Sequence, residues 1–161
     1  MFVLEALNSG DYSLFGEAIV TDTTPRLFRF DAYFQITALS MRFTAAGKLQ
    51  VASQPGGHEF FLEIRPLDNT TVSFLYRDPW VPQVRGTGTW VKDCYLLSGQ
   101  CDHTDASLIC CIEPMENQII EVKAAVQMTE RKRVALHFAL SPHEPKMAMA
   151  NVISLQQSKK A

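Results

Sequence analysis

The chain has 161 residues, 47% apolar and 20% charged, with 15 Lys and Arg against 17 Asp and Glu and a formal net charge of −2. That length and balance predict one globular domain over residues 1–161 and exclude a disordered chain. The scattered, nearly neutral charge supplies no general attraction to phosphate backbones, which argues against nucleic acid as a partner.

Phe2–Leu7 reads as a short first strand turned by Asn8-Ser9-Gly10-Asp11. It lacks the basic flank and long apolar core of a secretory signal. No apolar run approaches the roughly 20 residues of a membrane-spanning helix, so the expectation is a cytoplasmic protein with no membrane partner. Tyr12–Thr21 follows as a second strand. Next, Phe28, Phe30, Ala32, Phe34 and Ile36 alternate with Arg29, Asp31, Tyr33 and Gln35. A period of two places the two sets on opposite faces of a sheet. The phase slips at Ala38-Leu39, which predicts a β-bulge bending one long strand. Ala45-Ala46-Gly47-Lys48 reads as a turn into Leu49–Ser53, and Gln54-Pro55-Gly56-Gly57 as a loop.

Phe60, Leu62 and Ile64 are expected to pair with Val72, Phe74 and Tyr76 across a turn centred on Leu67-Asp68-Asn69. That register would set Glu59 opposite Arg77, Phe61 opposite Leu75, and His58 beside Asp78. Asp78-Pro79-Trp80-Val81-Pro82 is a stiff loop before the strand around Trp90. Tyr95, Leu97, Gly99 and Cys101 are expected to face Leu108, Cys110 and Ile112 across a turn near His103-Thr104-Asp105-Ala106.

The clearest hairpin spans residues 118–140. Ile120, Val122, Ala124, Val126 and Met128 share one face of its first arm, and Val134, Leu136, Phe138 and Leu140 share one face of its second. Arg131-Lys132-Arg133 at its turn reads as a solvated charge cluster. Met147–Gln156 fits either a last strand or a short C-terminal helix. About nine or ten strands with short turns predict an all-β, single-domain antiparallel barrel or two-sheet sandwich.

Chemistry is less legible. His58 with Asp78 or Glu59 forms the one candidate acid–base pair, because an imidazole oriented by a carboxylate is a common proton-transfer unit. No spacing places a serine or cysteine nucleophile beside it, so the chain is read as leaning away from an enzyme. Cys94, Cys101, Cys110 and Cys111 lack the Cys-x₂₋₄-Cys spacing of zinc hairpins and are read as reduced, with Cys101 and Cys110 in the core. No metal or cofactor is expected.

Gly86-Thr87-Gly88-Thr89-Trp90 resembles, in one short mid-chain match, the Gly-x-Trp of lipocalin-like barrels. The glycines themselves read as permitting a bulge or tight corner. The leading functional expectation is a non-catalytic module that docks a protein partner or a second copy through Trp80, Val81, Phe61 and Leu75. Tryptophan in a proline-restricted loop loses little entropy on docking, and open sheet edges would offer strand addition as a second route. The alternative is a lipocalin-like barrel holding a small apolar ligand in a cavity lined by Phe30, Phe34, Val122, Leu136 and Phe138. A filled interior would favour docking, and a pocket of several hundred Å³ would favour the ligand.

Overall fold

The computed structural model describes residues 8–39, 42–79, 81 and 83–143. Ten strands follow one another: β1 (Gly10–Thr21), β2 (Pro25–Leu39), β3 (Arg42–Val51), β4 (His58–Pro66), β5 (Thr71–Arg77), β6 (Val84–Val91), β7 (Cys94–Cys101), β8 (Ser107–Pro114), β9 (Ile120–Gln127) and β10 (Arg133–Pro142). They form a closed barrel in which each strand pairs with its sequence neighbours, and β1 pairs with β10 to complete the ring. All ladders are antiparallel, the closing one running from Tyr12↔Pro142 to Thr21↔Arg133. Closure rules out the two-sheet sandwich. It also leaves no open sheet edge among the described residues for the strand addition considered above.

Alternation decides which residues fill the interior. In β9, Ile120, Val122 and Val126 are buried while Lys123 and Ala125 are exposed. The same pattern gathers Tyr12, Phe34, Ile36, Ile64, Val72, Phe74 and Tyr95 into one core. Turn chemistry sets the hairpins. Asp68 Oδ1 accepts hydrogen bonds from the backbone N–H groups of Thr70 and Thr71, both at 2.8 Å, which ties the β4–β5 turn. Those two bonds also hold its carboxyl below the usual carboxylate range.

Three expectations are corrected. The phase slip at Ala38-Leu39 is a hairpin and not a bulge, because β2 and β3 run antiparallel from Leu39↔Arg42 back to Phe30↔Val51. Ala45-Ala46-Gly47-Lys48 is no turn but the middle of β3, paired on both sides. Gly47 belongs there for space. It lies between Phe34 and Phe60, whose rings meet edge to face at 5.7 Å, and an added Cβ would sit 2.6 Å from the Phe34 Cα.

The β4–β5 register is the third. It lies two residues from the expected one, with Phe61 opposite Arg77 and Leu75 opposite Glu63. The ladder ends at that first pair, so Glu59 does not face Arg77. His58 lies beyond its end and pairs with Leu49 of β3 instead.

Elsewhere the expected pairs hold, as in Tyr95↔Ile112, Leu97↔Cys110 and Gly99↔Leu108. The expected elements Phe2–Leu7 and Met147–Gln156, and the side chain of Trp80, fall outside the described residues. Among the described residues no helix is long and apolar enough to cross a membrane.

Candidate functional site

One end of the barrel keeps part of its apolar lining accessible. On the inner wall Phe28, Ala18, Leu136 and Ala124 lie level across β2, β1, β10 and β9. One step deeper the level residues are Phe30, Gly16, Phe138 and Val122. Bulky and small side chains therefore alternate around this arc. Phe28, Phe30, Leu136, Phe138 and Ala124 are only half-buried, although their strand positions face inward. Below them Leu14, Ala32 and Phe34 are buried in the core.

Gly16 shapes this wall. The rings of Phe30 and Phe138, its partners on either side, meet edge to face at 6.0 Å. A Cβ on Gly16 would stand 2.7 Å from the Phe30 Cζ and 2.7 Å from the His137 carbonyl oxygen. On the outer side of this wall, at Gly16, lies a groove of about 400 Å³ lined mostly by outward-facing residues such as Phe15, Glu17, Arg29, Asp31 and His137.

The other side of the same opening carries His58, Phe60 and Tyr76. The Tyr76 hydroxyl donates to Asp78 Oδ2 at 2.6 Å, and the Val81 N–H donates to Asp78 Oδ1 at 2.7 Å. Asp78 thus caps the turn that begins the β5–β6 loop. Burial first, then the Asp78 charge and hydrogen bond, pushes the Tyr76 phenol well above its ordinary range.

A raised native pKa means that the unfolded chain ionises first. This contribution to stability is full below about pH 10 and is lost as pH rises above it. Tyr76→Phe should therefore flatten the decline of Tm above about pH 10. Tyr12, also raised by burial, leaves a residual slope. Thermal melts across that range check this, and an unchanged slope would refute the assignment to Tyr76.

The residues expected to act together are distributed over two faces. Phe34 and Val122 are buried in the core, whereas Phe30, Leu136 and Phe138 form the accessible wall, so all five cavity candidates do face the interior. Glu59 lies on the outer face opposite Lys48, while His58 belongs to the inner set. Val81 turns inward and packs against the core. Phe61 and Leu75 share the outer face of β4 and β5, where the Arg77 guanidinium lies 5.0 Å from the Phe61 ring centre. That stacked pair borders an outer groove of about 650 Å³ lined also by Lys48, Glu59 and Pro79.

All four cysteines carry free thiols. Burial pushes the Cys110 thiol up to about 12, which keeps it protonated and inert near neutral pH. Among the described residues no cluster of three His, Cys, Asp or Glu side chains is arranged to hold a metal.

Sequence reasoning missed Gly16, Ala18 and Ala124 as the small residues that alternate with the bulky ones on this wall. A small residue on an inward strand position signals space only once its cross-strand neighbours are known.

No known protein family matches the sequence, and no curated protein does. Among solved structures, the S-type phycobiliprotein lyase CPES from Guillardia theta superposes with a TM-score of 0.61 at 9% identity, over 82% of this chain and 87% of that one. At that identity the likeness is one of fold: this chain is a barrel similar to that of the lyase.

Proposed function

We propose that the barrel binds a small, largely apolar ligand against the wall formed by Phe28, Phe30, Leu136 and Phe138. The observation that carries this reading is the half-buried state of inward-facing aromatic and aliphatic side chains at one end of the barrel. Apolar surface left in water forgoes about 25 cal/mol per Å², so an accessible inner wall is a ready contact for an apolar guest. Similarity to the fold of a phycobiliprotein lyase supports a small-molecule role and makes a bilin a sensible first probe.

The test adds bulk to the inner wall at Ala124, which is only half-buried. Ala124→Leu should weaken binding of biliverdin or a neutral naphthylamine dye about tenfold or more while leaving the melting temperature within a few degrees. Its neighbour Ala125 faces outward and is exposed, so Ala125→Leu is the matched control. Equal binding by wild type and both variants would remove the wall as the site.

A second reading, docking of a protein partner or a second copy, draws on the Arg77–Phe61 stack over the outer groove. Stacked arginine and aromatic side chains are over-represented among residues that dominate interfaces. Native mass spectrometry separates the two readings by what accompanies the purified chain, a retained small molecule or another protein.

A further inference from the structure

The accessible wall ends at a rim that is not neutral. Arg26 opens β2 and lies on the same strand face as Phe28 and Phe30, level with Val20 of β1 and, through it, Val134 of β10. Its guanidinium carbon sits 5.8 Å from the centre of the Phe28 ring. The Asp22 carboxylate, 3.4 Å away, is its ion-pair partner. Both side chains are largely exposed, so this pair is screened and easily exchanged.

The next turn round the same end is Arg131-Lys132-Arg133, leading straight into Val134. Thr129 Oγ1 fixes that turn by accepting from the backbone N–H groups of Arg131 and Lys132, at 3.3 and 3.0 Å. The closing ladder sets Arg133 opposite Thr21, beside the Asp22 turn. Arg26, Arg131 and Lys132 thus stand at this end of the wall, with Asp22 and Glu130 as the acids of the same two turns, while Arg133 lies on the outer face. By contrast, no charged side chain is buried among the described residues.

Resting on the ligand-binding reading above, we propose that the guest is an amphiphilic anion. Its apolar body lies on the Phe28–Phe138 wall, and its acidic head stays at the rim beside Arg26 and the basic β9–β10 turn. The reasoning is one of cost. A carboxylate or sulfonate carried into the uncharged interior would lose its hydration with nothing to replace it. At the rim it remains hydrated, gains the Arg26 fork in exchange for Asp22, and feels the field of the neighbouring turn. Arg26 is already held over the ring that would contact the body, so the two recognition elements are adjacent.

The experiment compares two dyes that share their rings, anilinonaphthalene sulfonate and neutral N-phenylnaphthylamine, by fluorescence titration of the full chain. Wild type should bind the sulfonate more tightly, with the advantage shrinking as salt rises. Arg26→Gln should weaken the sulfonate about fivefold and leave the neutral dye unchanged. The triple change Arg131→Gln, Lys132→Gln and Arg133→Gln should remove the remaining advantage. Asp22→Asn, which deletes the competing carboxylate, should strengthen the sulfonate.

Equal affinity of the two dyes in wild type, or a sulfonate advantage that survives both sets of changes, would overturn the inference while leaving the apolar site standing. Failure of both dyes to bind wild type would overturn the ligand reading and this inference with it. All these substitutions lie in exposed rim positions, so loss of fold does not cloud the outcome.

Discussion

Replacing Phe34 by alanine is expected to lower the unfolding free energy by about 4 kcal/mol. Phe34 is 7% exposed, its ring stacks on Tyr12 at 6.0 Å, and it meets Phe60 edge to face at 5.7 Å. Its small neighbours cannot fill the space. Gly47 lies directly opposite, Ala32 and Ala45 occupy adjacent inward positions, and none has a side chain long enough to move in. The loss therefore belongs near the upper end for aromatic truncation, where both transfer and void terms are felt. Urea unfolding of the two proteins gives the difference. A change below about 1 kcal/mol would mean that the ring is not part of the packed core. The void left behind is apolar, so benzene should restore part of the stability.

Gly86→Ala is the second large effect, expected near 3 kcal/mol, and its mechanism is the opposite one of excess volume. Gly86 of β6 pairs with Gly99 of β7 on one side and with Phe74 of β5 on the other. An added Cβ would collide with the Ser98 carbonyl oxygen and stand 2.6 Å from the Gly99 Cα. Both are backbone atoms held by the ladder, so neither can rotate away. Gly88→Ala offers the internal comparison. Its Cβ meets chiefly the Leu97 Cδ2, the end of a flexible side chain, with Val72 Cγ2 at 3.2 Å and the Leu96 carbonyl oxygen at 3.3 Å. The cost at Gly88 should be distinctly smaller, because a rotamer change relieves most of it. Denaturation midpoints in the order wild type, Gly88→Ala, Gly86→Ala check the argument, and a reversed order would contradict it.

These glycines show how far the architecture could be read from residues alone. Strands with one bulky apolar side chain at every second position, such as β9 and β10, were legible because period two maps onto a wall with one wet and one dry face. Where an inward position carries glycine or alanine, the period disappears from the letters although the strand persists. Ala45-Ala46-Gly47-Lys48 therefore resembled a turn, and the reason for Gly47 lies on β2 and β4 in the rings of Phe34 and Phe60.

The β4–β5 register failed for a related reason. Both alternatives keep Phe60, Leu62 and Ile64 inward with Val72, Phe74 and Tyr76, because a shift of two residues preserves every face. Only the Asp68 hydrogen bonds in the turn select between them. The candidate site was half legible. Phe30, Leu136 and Phe138 could be placed on an inner face from their period. The roles of the small residues Gly16, Ala18 and Ala124 depend on which strands are neighbours, and strand order around a ring is not encoded locally.

The ladder that completes the ring bears on how the chain finds its shape. Nine consecutive hairpin contacts can each form from residues close together in sequence, whereas Tyr12 must meet Pro142 from almost opposite ends of the described chain. The chain entropy surrendered in that last meeting is the largest of any contact, and no reward arrives until it is made. Assembly should therefore proceed as an open ribbon that curls, with the seam between the first and last strands as the slow step. Until it zips, two unpaired margins are exposed, and that interval is when neighbouring chains are most able to interfere.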